Sequence, residues 1–250
     1  MSKQSRIFKL CKLKFFKSIL ERLLSLINPS WRKQMTQNLN TQSNNLITQD
    51  YQFTQTWFLN VCQYWPELFS RLGWNSKEPK MILEIGCFEG QATCWMLENL
   101  IDNENSQIFC LDIFEVPEEE QTGQYKYDLK DLFQRFIHNV SVTGKEDLVQ
   151  VLVGDSKYNL SQLVSHELSF DFIYVDGSHD AKDVLADAIL GWMLLKKGGL
   201  MIFDDYLWEF FEQDIVSAPK MGIDSFINCY SREIRIIRTP QNYQVCLLKK

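Results

Sequence analysis

The chain is short of the residues that mark non-globular proteins. It has 11 Gly and 6 Pro in 250 residues, which excludes a collagenous or wholly disordered chain. It has no CxxC pair. Its cysteines stand singly at Cys11, Cys62, Cys87, Cys94, Cys110, Cys229 and Cys246. That odd, scattered set implies neither a disulfide framework nor a zinc site, and it fits reduced thiols filling the core of a cytoplasmic protein. No uncharged apolar run approaches the roughly 18 residues of a membrane-spanning helix. No small-residue cleavage site follows a short apolar core, as one would in a signal peptide. What is present is 45% hydrophobic and 13% aromatic residues, enough for one large globular core without staples.

Charge divides the chain. Residues 1–34 hold nine Lys or Arg and one acid, Glu21, a balance of +8 against a total of −6, so the remaining 216 residues sum to −14. An acidic body argues against nucleic acid as a partner, because phosphate binding needs a cationic footprint. Within the basic arm, Phe15, Phe16, Ile19, Leu20, Leu23, Leu24, Leu26 and Ile27 share one side of a helical wheel. Lys17, Glu21 and Arg22 fall on the other, and Asn28 and Pro29 end the pattern. Such a helix suits three roles: docking on its own domain or a second copy in a homo-oligomer, peripheral contact with an anionic membrane, or organelle targeting. Residues 35–50 are rich in amides and hydroxyls and predict a polar linker to a domain over 51–250.

From Tyr51 on, Trp57, Phe58, Val61, Cys62, Trp65, Leu68, Phe69 and Leu72 recur at helical spacing, and Pro66 breaks the stretch or opens a second helix. A regular alternation follows. Strand-like runs at 81–85, 107–113, 148–153, 170–175 and 200–203 are separated by helix-like segments near 90–101, 128–143, 157–165 and 181–195. Right-handed crossovers make this a parallel sheet with helices on both faces. After a helix near 219–230, REIRIIR and YQVCLLKK flank the turn TPQN, which predicts a hairpin whose last strand inserts antiparallel.

Ligands of such sheets bind beyond the carboxyl ends of the strands. The first strand delivers Glu84, Gly86, Cys87, Phe88, Glu89 and Gly90 there. The GxxxG spacing lacks the GxGxxG of dinucleotide binders and the GKS or GKT of a P-loop. The second strand ends in Asp112, whose two oxygens suit ribose hydroxyls. The third leads into Gly154, Asp155 and Ser156, which serve either a base edge or the cap of the next helix. The fourth leads into Asp176, Gly177, Ser178 and His179, and the fifth into Asp204 and Asp205. Three carboxylates at neighbouring strand ends repel one another, and a hard divalent cation resolves that conflict. The alternative is that each acid caps the helix after it.

The stretch from about Tyr51 to Lys250 resembles the class I S-adenosylmethionine-dependent methyltransferases. Within them it is similar to the metal-dependent branch of catechol and macrolide-sugar O-methyltransferases. ILEIGCFEGQATCWMLE resembles that fold's motif I, LDIF the acidic end of its second strand, and VGDS its adenine-side motif. FDFIYVDGSHDAKDVLADAILGWMLLKKGGLMIFDDY is the most specific piece. The resemblance implies a Rossmann-like α/β fold: a seven-stranded sheet, mostly parallel, with an antiparallel C-terminal strand and helices on both faces. It implies S-adenosyl-L-methionine and Mg²⁺ as cofactors. It places Glu84, Gly86, Cys87, Phe88 and Gly90 at the methionine end, Asp112 and Ile113 at the ribose, Asp155 and Ser156 at the adenine, and Asp176 beside both cofactor and metal. Asp176, Asp204 and Asp205 fall on the metal ligands and His179 on the general base. Where relatives carry Ser for the methionine carboxylate this chain has Ala92, so Thr93 or backbone amides at the helix start are the expected substitutes.

The implied reaction is methylation of a hydroxyl on a small molecule. The loops 115–127 and 206–214, one acidic and one carrying Tyr206, Trp208, Phe210 and Phe211, suit a neutral sugar, polyol or phenol. Two rivals stay open: a metal-dependent hydroxylase or hydrolase on the same fold, and a non-catalytic adenosylmethionine-binding module acting through the basic arm.

Overall fold

A computed structural model describes residues 51–115, 131–208 and 215–250. The basic arm (1–34), the linker (35–50), nearly all of the acidic loop, and Phe210 and Phe211 lie outside the described residues. Among the described residues no helix is long and apolar enough to cross a membrane.

Five strands are parallel: β1 (Met81–Ile85), β2 (Gln107–Asp112), β3 (Val149–Val153), β4 (Phe170–Val175) and β5 (Leu195–Phe203). Two more, β6 (Ile234–Ile237) and β7 (Val245–Lys249), complete a seven-stranded sheet of order β3-β2-β1-β4-β5-β7-β6. β7 inserts antiparallel between β5 and β6, as the hairpin pattern predicts. Strand order reverses between β1 and β4, so their carboxyl ends open a crevice there. The central strands are apolar at nearly every position because helices cover both faces.

On one face lie α1 (Trp57–Val61) and α2 (Trp65–Arg71), followed by α3 (Gln91–Asn99) and α4 (Leu132–Val142). Pro66 sits in the first turn of α2, where its missing N–H costs nothing. Trp65 is fully buried and meets Phe172 and Tyr174 of β4 edge-on, with ring centroids 5.6 and 5.1 Å away. Trp57 departs from the expected core set: it is 44% exposed and its ring pairs with Phe88 at 5.7 Å. On the other face, α5 (Ser156–Ser165), α6 (Ala181–Leu194) and α7 (Pro219–Tyr230) pack side by side. Gly191 of α6 lets that helix settle against Ile173 and Met201.

One boundary differs from the sequence pattern. β5 begins at Leu195, directly at the end of α6, rather than at 200. The polar Lys196–Gly199 stretch hid it, and the pairing with β4 shifts register there. The six described cysteines are all free and five are buried, in keeping with their reading as core filler.

Candidate active site

The turn after β1 is shaped by backbone. Gly86, Phe88 and Gly90 all take left-handed conformations, at φ 82°, 46° and 80°. Such a conformation is cheap for glycine and strained for Phe88. Gly86 is required twice over, because a Cβ there would lie 1.9 Å from the carbonyl oxygen of Asp176. The strand ends of β1 and β4 therefore touch: the Asp176 amide donates to Ile85 O at 2.8 Å. Asp112 fixes the turn from β2. Its Oδ2 accepts the amides of Cys87 and Phe88 at 2.6 and 2.8 Å, and its Oδ1 accepts that of Phe114 at 2.5 Å.

An N-terminal strap also holds the turn. Glu89 is buried, pairs with Arg135 at 3.0 Å, and accepts both the amide and the hydroxyl of Thr54 at 2.7 and 2.8 Å. Asn139 of α4 donates to Glu89 O at 2.8 Å and accepts the Gln52 amide at 2.6 Å.

Three cavities meet at these strand ends. The first, about 280 Å³, runs from Gly86 and Phe88 past Asp112 and Ile113 to Asp155, Ser156 and Asp187. The second, about 60 Å³, lies over the start of α3 among Gln55, Glu84, Cys87, Gln91 and Ala92. The third, about 390 Å³, is walled by Trp57, Phe58, Asn60, Trp208 and Tyr243, with Asp176, Asp204 and Asp205 on its lining. Asp176 lines all three.

Within the first cavity, Asp155 caps α5 by accepting the Tyr158 amide at 3.0 Å, and Ser156 donates to Asp187 Oδ1 at 2.7 Å. So this pair caps a helix and also lines the cavity. Asp187 was not singled out from the sequence. It is buried on the inner face of α6, and burial pushes it up to about 7. Its signal was an acid among Val184, Ala188 and Gly191, the apolar side of that helix.

In the second cavity, Glu84 is fully buried and burial pushes its carboxyl up to about 8. Thr93 does not substitute for the missing serine. It is buried and its hydroxyl donates to Glu84 Oε2 behind the cavity. A helix turns about 100° per residue, so when Ala92 faces the cavity its neighbour faces the sheet. Gln55 and Gln91 line that end instead, with Gln91 Nε2 donating to Gln55 O at 3.2 Å. Among the described residues, the three metal-type donor atoms that close to within 4.8 Å of one another belong to Glu84, Cys87 and Cys110.

Asp176, Asp204 and Asp205 share the third cavity without closing to that degree. Tyr174 ties two of them: its hydroxyl donates to Asp204 Oδ2, and the same hydroxyl oxygen lies 3.1 Å from Asp176 Oδ2. Burial, then repulsion from Asp204 and Asp205, pushes Asp176 well above the usual carboxylate range. Burial and Asp205 push Asp204 up to about 7. Asp205 has a strained left-handed backbone, φ 56°. His179 reaches this group through Asp205, with Nε2 3.0 Å from its Oδ2 and the ring stacked 3.8 Å from that of Trp208. Tyr174, Tyr243 and Gln244 are further members that sequence motifs did not mark.

Residues 83–206 match the profile of a family described as a methyltransferase domain. No curated protein sequence matches the chain. Among solved structures, the chain is similar to an O-methyltransferase from Bacillus cereus in complex with SAH, at 18% identity and TM-score 0.52, over 93% of this chain and 91% of that one. It is similar to the O-methyltransferase TomG from Streptomyces achromogenes, involved in tomaymycin synthesis and solved with SAM, at 15% identity and TM-score 0.54, over 93% and 96%. It also resembles MycE of the mycinamycin pathway, solved with Mg, SAH and mycinamycin VI, at 16% identity and TM-score 0.51, over 86% of this chain and 53% of that one. With the family profile spanning β1 to the start of the loop after β5, and three cavities meeting at the strand ends, residues 83–206 form a methyltransferase domain, and the sheet around it has the fold of the O-methyltransferase structures it resembles.

Proposed function

We propose that this methyltransferase acts on a hydroxyl oxygen of a small molecule, a sugar, polyol or phenol with two neighbouring oxygens, and uses Mg²⁺ held by Asp176, Asp204 and Asp205. The observation that carries this is Asp176: one carboxylate borders the first two cavities, assigned to the cofactor, and the third, assigned to the acceptor. The donor set suits a hard cation. Three acids face one cavity, and their crowding favours an added positive charge. Mg²⁺ commonly takes one or two carboxylates and leaves its other positions to water and substrate, so the acids need not close around it beforehand.

When bound, S-adenosylmethionine supplies the methyl group on a sulfonium, and a divalent cation would supply positive charge beside the acceptor oxygen. The remaining work falls to the chain. Trp57, Trp208 and Tyr243 offer flat walls that orient a ring, and Asn60 offers an amide to a hydroxyl. Phe58 and Trp57 border both the second and third cavities and narrow the water path between them. We assign the acceptor's proton to His179, which does not itself line the third cavity but stands directly behind two residues that do, bonded to Asp205 and stacked on Trp208. The three acids and the aromatic walls of this cavity suit a neutral acceptor better than nucleic acid.

The test is to incubate the full chain with methyl-labelled S-adenosylmethionine and small-molecule extracts and to follow label by mass spectrometry. Label should appear on oxygen, should vanish with EDTA and return with Mg²⁺. His179→Ala should fall by roughly 10² to 10⁴ in turnover while still binding S-adenosylhomocysteine. Full transfer in excess EDTA removes the metal from the proposal, and label found only on nitrogen or carbon overturns the acceptor class.

A further inference from the structure

The side chain that organises the acceptor end lies outside both the sequence motifs and the family match. Gln244 stands just before β7 in the C-terminal hairpin and is 3% exposed. Its Oε1 accepts the Tyr64 hydroxyl at 2.7 Å and the Trp65 indole N–H at 2.9 Å. Its Nε2 lies 2.8 Å from Asp204 Oδ2 and 3.5 Å from the Tyr174 hydroxyl.

The polarity of this chain of contacts is fixed at one end. An indole nitrogen can only donate, so the amide must turn its oxygen to Trp65 and therefore its NH₂ to Asp204. Asp204 Oδ2 thus receives Gln244 and Tyr174 together, while Oδ1 receives the Asp205 amide at 2.8 Å. One oxygen is tied inward by two side chains. The other keeps acceptor capacity toward the cavity that Asp204 lines. The hairpin turn is itself braced: Gln241 Oε1 accepts the amides of Tyr243 and Gln244, and the Tyr206 amide donates to Tyr243 O at 2.9 Å. Consecutive residues of this turn face consecutive acids: Tyr243 lines the cavity together with Asp205, and Gln244 bonds to Asp204.

We propose that Gln244 is a positioning residue of the acceptor site, setting which oxygen of Asp204 faces the cavity, with the donor-only indole of Trp65 setting the orientation of the Gln244 amide. This rests on the reading of Asp204 as an acceptor-side residue. It assigns a task to the 3-10 turn Cys62–Tyr64, α2 and the C-terminal hairpin, elements outside the matched region 83–206: together they aim a carboxylate that lies within it.

The experiment compares Gln244→Met with Tyr64→Phe in the full chain. The first removes the donor to Asp204 at nearly constant volume. The second removes a bond from the same amide but leaves that donor in place, so a role limited to packing affects both alike. Crystal structures with S-adenosylhomocysteine should show the Asp204 carboxylate turned in Gln244→Met and unmoved in Tyr64→Phe. Mn²⁺ affinity, read by electron paramagnetic resonance, should fall at least tenfold in the first and stay within twofold in the second. S-adenosylhomocysteine affinity should stay within twofold in both. If Gln244→Met does not fold, Gln244→Glu, which keeps the volume and turns an oxygen toward Asp204, is expected to give the same displacement. An unmoved Asp204 in the folded variant overturns the proposal, as does equal loss in both variants. If the wild type takes up no Mn²⁺, the divalent cation falls from the proposed function, and the Asp204 orientation alone decides the role of Gln244.

Discussion

At the end of β1 the site is shaped by backbone conformation, and at the ends of β4 and β5 it is shaped by side chains bonded to one another. The half that we propose holds the cofactor is a turn with left-handed residues whose amides are gathered by one carboxylate, Asp112, from 24 or 25 positions away. The acceptor half is a web in which Asp204 meets a residue 40 positions distant, itself bonded to residues 179 and 180 positions away. A backbone site has few ways to vary without loss of fold. A side-chain site can be retuned one hydrogen bond at a time, which suits the half that we propose receives the acceptor.

The contrast should show most strongly in glycine substitutions. Gly86→Ala forces a Cβ to within 1.9 Å of a backbone oxygen at positive φ, where neither partner can move without parting β1 from β4. It should cost more than about 3 kcal/mol in urea unfolding and abolish the thermal shift caused by S-adenosylhomocysteine. Gly90→Ala, whose Cβ would meet only the Phe136 ring at 2.9 Å, should cost about 1–2 kcal/mol because a side chain can yield. Equal costs would mean that the cofactor turn is not governed by the β1–β4 contact.

A second effect is expected from pH. Glu84 is raised by burial from 4.5 to about 8, so the folded state keeps a proton that the unfolded chain releases. Its contribution to stability is full below about pH 4.5, falls as pH rises toward 8, and is level beyond. Glu84→Gln should therefore flatten the stability profile in that window by up to about 1.4 kcal/mol per pH unit, measured by urea midpoints. An unchanged slope would assign the pH dependence to other groups, with Asp187, raised to about 7, the first to replace.

The smallest effect belongs to the acceptor half. Tyr174→Phe removes the hydroxyl shared by Asp176 and Asp204, and should change stability by about 1 kcal/mol while leaving S-adenosylhomocysteine affinity within twofold. A loss as large as that of Gly86→Ala would show the two halves to be a single cooperative unit.

This division also explains what could be read from the sequence. The sheet was legible because burial on both faces leaves continuous apolar runs, and MILEI and FDFIYV are β1 and β4 to the residue. The glycine turn, Asp112 and the acids after β4 and β5 were legible because each follows its strand directly. Thr93 misled because adjacent helical residues look in different directions. Tyr174, Asp187 and Gln244 escaped for a common reason: each is a polar side chain in a buried stretch, and only the assembled fold shows what it meets.

The strap held by Glu89 bears on where the catalytic unit starts. Thr54 and Gln52 are bonded to Glu89 and Asn139 as closely as any strand is to its neighbour, although they precede the first described helix and the matched family region. A protein cut at Trp57 would keep every described helix and strand, yet would expose a buried carboxylate and leave Arg135 as its remaining partner. Limited proteolysis should therefore spare the 51–56 segment for as long as the cofactor turn is folded, and cleavage there should release the grip on the turn before the sheet begins to open.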